Sequence, residues 1–149
     1  MDGNANLPRP ELPHSMEDIY VARLMSTDLV TAMPETLVED AAQLLMDNDV
    51  GSLPIVDGDN DLVGILTTTD FVTIVAHSEP KAETTVERYM TTDVVTATAQ
   101  VSIRDAADHM VANDCHHLPV VDESGSLIGV ISSADLAMYL SHDVMPSPS

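Results

Sequence analysis

Residues 53–57, Leu-Pro-Ile-Val-Asp, return 65 positions later as residues 118–122, Leu-Pro-Val-Val-Asp. Working outward from this pair, Arg23, Met25, Thr27, Asp28, Val30, Thr31 and Ala32 reappear at the same spacing as Arg88, Met90, Thr92, Asp93, Val95, Thr96 and Ala97. Laid over each other without a gap, residues 23–72 and 88–137 agree at 19 of 50 positions, far above chance for a composition-biased chain. The chain is therefore read as a tandem pair. Either half, at roughly 60 residues, would bury little core alone, so the two are expected to fold as one module. Such a pair encloses clefts between its halves, where small ligands usually sit.

Composition narrows the function. The 149 residues carry Lys+Arg 5 against Asp+Glu 25, a formal net charge of -20. A surface this acidic repels phosphate backbones and anionic headgroups, and no basic stripe compensates, so nucleic acid and membrane surfaces are not expected partners. No apolar stretch approaches the roughly 20 residues of a spanning helix. A single cysteine, Cys115, leaves no internal disulfide, and residues 1–11 lack the basic and apolar regions of a secretion signal. A cytoplasmic location is expected. Aspartate outnumbers glutamate, Lys81 is the only lysine beside four arginines, and the acidity is spread along the whole chain. That pattern suits a surface kept soluble in strong salt and points to a halophilic, archaeal source; an ordinary acidic cytosolic protein is the alternative.

The periodicity predicts the same elements twice. In the first half these are a helix over Glu17–Met25, a strand at Leu29–Ala32, and a helix over Leu37–Asn48 with Thr36 and Glu39 as its capping box. That helix should bury Val38, Ala41, Ala42 and Leu45. A hairpin follows, of Leu53–Val56 and Leu62–Leu66 around the turn at residues 57–60, and then a helix from near Thr69 that buries Phe71, Ile74 and Val75. In the second half they are a helix near Val86–Met90, a strand at Val94–Ala97, and a helix over Ile103–Asn113 capped by Ser102 with Asp105. The hairpin of Leu118–Val121 and Leu127–Ile131 and a helix over Asp135–Leu140 complete it. Met25, Met46, Met90 and Met110 fall on helical faces and are expected in the core. The fold class is α/β of the α+β type, two β-α-β-β-α repeats related by a pseudo-twofold and packed sheet to sheet.

The segments Gly64-Ile65-Leu66-Thr67-Thr68-Thr69-Asp70 and Gly129-Val130-Ile131-Ser132-Ser133-Ala134-Asp135, with the Leu-Pro-hydrophobic-Val-Asp strands and the Arg-hydrophobic-Met lead-ins, resemble a pair of CBS domains, the cystathionine-β-synthase-like repeats. The resemblance covers about residues 17–142. It places CBS domains at 17–77 and 85–142; residues 1–16, with Pro8, Pro10 and Pro13, and residues 143–149 read as tails without periodic pattern, and 78–84, with Pro80 and Lys81, as a polar linker. It also implies a regulatory module that binds an adenosine-containing ligand, AMP, ADP, ATP or S-adenosylmethionine, and has no obligatory cofactor. Thr67 and Asp70, and Ser132 and Asp135, are then the nucleoside residues, the aspartates holding ribose hydroxyls. Thr31 and Thr96 match strand-end positions that contact the base, and Ile55 and Val120 are placed to wall the adenine. A homodimer, and an unidentified effector protein as recipient of the signal, complete the expectation.

Chemistry supports the motif and also supplies an alternative. A carboxylate accepts hydrogen bonds from two neighbouring hydroxyls, which is what a ribose diol offers, and helix starts attract anions. The same Thr67/Asp70 and Ser132/Asp135 pairs are equally good helix caps with no ligand at all. Before Leu-Pro the halves differ: Gly51-Ser52 in the first, His116-His117 in the second. In the γ-subunits of AMP-activated kinases, which the chain resembles here, a His-Arg pair at these positions contacts phosphates; His116 matches the histidine and His117 replaces the arginine. The cleft they line should favour a phosphorylated ligand, and the other a neutral or cationic one. Arg23, Arg88 and Arg104 are the other cations considered for phosphate. No activated nucleophile, Walker-type loop or carboxylate pair marks an enzyme. Two competing readings remain, a ligand-independent dimerisation module and a metal-binding or redox protein using Cys115, His116 and His117, with His109 as a further ligand. The latter is weakened by adjacent histidines pointing to opposite faces of an extended segment.

Overall fold

The computed structural model describes residues 19–77 and 84–144. The expected tail at 1–16, the first two residues of the lead-in helix, all but Thr84 of the linker, and residues 145–149 lie outside the described residues. The elements are α1 (Val21–Leu24), α2 (Val38–Asn48), β1 (Ser52–Val56), β2 (Leu62–Thr67), α3 (Thr68–His77), a 3-10 turn (Val86–Arg88), α4 (Ile103–Asn113), β3 (His117–Val121), β4 (Leu127–Ser132) and α5 (Ser133–Val144).

β1 pairs antiparallel with β2 and β3 with β4, each as a two-stranded sheet. The turns need a left-handed residue; Asn60 (φ 68°) supplies it in the first hairpin and Gly125 (φ 91°) in the second. Asparagine tolerates that region through its short polar side chain, and glycine reaches it without a Cβ penalty. Asp49 and Asp114, at φ 53° and 52°, end α2 and α4 in the same conformation and turn the chain into β1 and β3.

The strands expected at 29–32 and 94–97 shrink to one parallel bridge each, Ala32 to Ile55 and Ala97 to Val120. Ala32 N–H donates to Pro54 O at 3.1 Å and its carbonyl accepts from Val56 N–H at 2.9 Å. The next step along a parallel ladder would need a donor from residue 54, and proline has none. Pro119 stops the second ladder in the same way. The capping box at Thr36 is also corrected. Residue 37, a leucine, occupies the N-cap of α2, and the Thr36 hydroxyl accepts from Met33 N–H at 3.0 Å in a preceding turn. In the second half Ser102 accepts from Asp105 N–H at 3.0 Å, as expected.

The two buried cores are separate clusters, and each is completed by the other half's lead-in. Leu118, Val120, Ile131, Ile103, Ala106 and Met110 enclose Ile19 and Val21 from the first lead-in. Leu53, Ile55, Leu66, Ala41 and Leu45 enclose Val86 from the second. Main-chain bonds fix the exchange: Val21 N–H donates to Val101 O, Ile103 N–H to Ile19 O, Val86 N–H to Thr36 O and Val38 N–H to Thr84 O, all at 2.8–2.9 Å. The hairpins join at their turns, where Leu62 N–H donates to Gly125 O at 3.2 Å and Leu127 N–H to Asn60 O at 3.0 Å. The expected sheet-to-sheet contact thus takes the form of joined turns and exchanged lead-ins. Met25 and Met90 pack half-buried on these cores and Met110 is buried, but Met46 is 74% exposed. On α3, Phe71 and Ile74 are half-buried, whereas Val75 is 74% exposed.

Candidate functional site

Two clefts of about 340 and 430 Å³ lie between the halves, within the size range of small-molecule sites. Each is composite. The first takes Ser132 and Asp135 from the second half and Leu29, Val30, Asp49, Val50, Gly51 and Ser52 from the first. The second takes Thr67 and Asp70 from the first half and Val94, Val95, Asp114, Cys115, His116 and His117 from the second. The exchanged lead-ins contribute Ser26 and Asp28 to one cleft and Thr91 and Asp93 to the other.

The motif residues stand where a strand hands over to a helix. Thr67 closes β2 and Asp70 lies in the first turn of α3; Ser132 closes β4 and Asp135 lies in the first turn of α5. Thr67 N–H donates to Asp70 Oδ2 at 2.8 Å, and Ser132 N–H to Asp135 Oδ2 at 2.8 Å. Asp135 N–H returns a bond to Ser132 Oγ at 3.2 Å, so the second pair is a reciprocal cap. Capping is therefore present in the structure. It engages Oδ2 of each carboxylate, and among the described residues no hydrogen bond reaches either Oδ1.

His116 and His117 face the motif of the other half. His116 is exposed and shares the second cleft with Asp70. His117, half-buried at the start of β3, lines both clefts. Burial pushes its imidazole below the ordinary 6.5, His116 adds to that, and Asp135 opposes it. Burial raises the Cys115 thiol, a hydrogen bond from the His117 main chain opposes the rise, and Asp114 reinforces it. Burial thus disfavours the thiolate that a redox role would use. Among the described residues no group of three or more His, Cys, Asp or Glu side chains is placed to hold a metal, so Cys115, His116 and His117, with or without His109, form no such site.

Four expected contacts are not brought to the clefts. Ile55 and Val120 are fully buried in the two cores, and Thr31 and Thr96 line neither cleft. Leu29 with Val30, and Val94 with Val95, line the clefts, and the lining stops one residue short of Thr31 and Thr96. Residues missed from the sequence include Asp28 and Asp93, Val30 and Val95, and Asp49 and Asp114. Each pair is identical between the repeats, and that in-register identity was the available signal. Arg23, Arg88 and Arg104 line neither cleft; the Arg88 guanidinium sits 5.9 Å from the centroid of the Tyr89 ring.

Two repeats that exchange their lead-ins and enclose a pair of composite clefts define a pseudo-symmetric tandem module. The chain belongs to the CBS domain family, whose model matches residues 21–77 and again 86–142. It is 35% identical over 120 residues to an uncharacterized 17.7 kDa protein of Acidianus ambivalens, covering 80% of this chain and 72% of the relative. It spans only 24% and 26% of two larger relatives named homoserine O-acetyltransferase, from Methanosalsum zhilinae and Methanohalobium evestigatum. Among solved structures it is similar to the CBS domain pair of protein MJ0100 in complex with 5'-methylthioadenosine and S-adenosyl-L-methionine, at TM-score 0.77 and 28% identity over 83% of this chain and 97% of that one. It is likewise similar to CBSX2 in complex with AMP, at TM-score 0.77 and 25% identity over 85% and 99%. Among the described residues no helix is long and apolar enough to cross a membrane.

Proposed function

We propose that the chain is a regulatory, non-catalytic module that senses an adenosine-containing ligand in its two composite clefts. One observation carries this reading. Asp70 and Asp135 each stand at a helix start inside a cleft, one carboxylate oxygen engaged by the cap and the other turned to no protein donor among the described residues. Two solved relatives of the same fold hold adenosine compounds, which supports the assignment of the ligand class. Because each cleft is walled by both halves, an occupant bridges them and favours one mutual arrangement.

The cleft with His116 and Asp70 is the one that favours a phosphorylated ligand such as AMP, ADP or ATP, and the other, which lacks His116, also tolerates a neutral ligand or the sulfonium of S-adenosylmethionine. The signal passes by self-association, as a homodimer, or to a separate effector protein. Exposed apolar side chains on α3 (Val72, Val75) and α5 (Met138, Leu140) support the former. Mass spectrometry of small molecules released from gently purified protein is the test. An adenosine compound in near-stoichiometric amount is the expected result, whereas a dimer that carries no ligand and takes up neither AMP nor S-adenosylmethionine would make the chain an assembly module only.

A further inference from the structure

His117 and Gly51 line both clefts, so they form the partition where the two approach each other. The contact is close: a methyl group on Gly51 would lie 3.3 Å from His117 Nε2 and 3.5 Å from Cε1. The pseudo-twofold breaks down here. The repeat counterpart of His117 is Ser52, a small buried side chain, and the counterpart of Gly51 is His116, which lines only one cleft.

We propose that His117 is a shared contact that couples the clefts, so that an anionic adenosine ligand in one weakens binding of a second in the other. This rests on the reading of the clefts as adenosine sites. A neutral imidazole has one N–H to donate and one nitrogen to accept, and it cannot offer the donor to two phosphorylated ligands on opposite sides. Burial and His116 favour the neutral form of His117, with Asp135 working the other way. The remaining charged groups give no substitute. Asp28, Asp49 and Asp135 line one cleft and Asp70, Asp93 and Asp114 the other, and neither contains Lys or Arg among its lining residues. A second anion thus meets three carboxylates with the shared donor already engaged, His116 being confined to the cleft of Asp70.

The test uses AMP as the probe and two single-cleft variants, Asp70→Ala and Asp135→Ala, each disabling one site. Imidazole resonances of His117 are followed by NMR and affinities by calorimetry. The His117 signal is expected to move on AMP addition in both variants. In the unaltered protein the weaker step is expected to be about tenfold weaker than that same cleft measured alone, a coupling of ordinary allosteric size. In His117→Ala, and in part in Gly51→Ala, whose added methyl would press on Nε2 and Cε1 of the ring, the gap should close. A His117 signal that responds in only one variant, or an unaltered protein whose titration is the plain sum of the two single-cleft curves, overturns the coupling while leaving the ligand assignment in place. Absence of AMP binding in every protein overturns both.

Discussion

Ser126 Oγ donates to Asp61 Oδ1 at 3.2 Å, and these residues are repeat counterparts, 65 positions apart, so this hydrogen bond lies on the axis that relates the halves. Around it, Leu62 to Gly125 and Leu127 to Asn60 make a symmetric pair of main-chain bonds. A partly buried bond of this kind contributes about 1 kcal/mol. Asp61→Ala and Ser126→Ala should each destabilise by about that amount, and the double variant by less than the sum. Denaturation of all four proteins checks this; strict additivity would show that the bond does not join the halves energetically.

The exchanged lead-ins give a second prediction. A Cβ on Gly64 would fall 2.7 Å from Met90 Sδ and 3.0 Å from Thr91 O, and one on Gly129 would fall 2.6 Å from Met25 Sδ and 3.1 Å from Ser26 O. A methionine tip yields, but the carbonyls belong to the bridges Thr91–Ile65 and Ser26–Val130 that hold the lead-ins in place. Gly64→Ala and Gly129→Ala should each cost about 1–3 kcal/mol, with partial recovery on adding Met90→Ala or Met25→Ala respectively. Urea titration is the measurement, and a neutral Gly64→Ala would mean that the lead-in is not locked.

Much of this was readable in the chain and some of it was not. The repeat, the hairpins, α2, α4 and the Ser102 cap all follow from local pattern. The exchange of lead-ins does not, because Val21 and Val86 look the same to any local rule whichever core they enter. The truncation of the first strands was readable in hindsight from Pro54 and Pro119, whose missing N–H stops the parallel ladder after one bridge. Thr67, Asp70, Ser132, Asp135, His116 and His117 were placed by motif and do line the clefts. Thr31 and Thr96 line neither cleft, the lining ending at Val30 and Val95, and Ile55 and Val120 lie in the cores.

His117 makes stability depend on pH. Its folded-state value is depressed below the ordinary 6.5, so in the window just below 6.5 the unfolded chain binds the extra proton. The stabilisation associated with the neutral ring is present above that window and is lost as pH falls through it toward the folded value. Stability should therefore decline on acidification from about 7.5 to below 6.5, and less steeply in His117→Asn. Melts across that range decide the matter; an equal slope in both proteins would assign it to other groups.

The net charge of -20 predicts a strong salt response. Screening length falls from about 10 Å at 0.1 M to about 3 Å at 1 M, which mutes repulsion among the surface carboxylates. The melting temperature should rise with chloride over this range. A flat or falling trend would remove the argument for a salt-adapted surface.

The aspartates of the two clefts are proposed to hold an adenosine ligand. Calorimetric titration of AMP and S-adenosylmethionine into the unaltered protein and into the Asp70→Ala/Asp135→Ala double variant tests this most directly, with melts run alongside. Saturable binding is expected, weakened in the double variant by about 1.5–3 kcal/mol at each site, against a loss of about 1 kcal/mol of folding stability per cap. A double variant that melts early but binds both compounds as tightly as the unaltered protein would reduce the two aspartates to helix caps with no part in ligand binding.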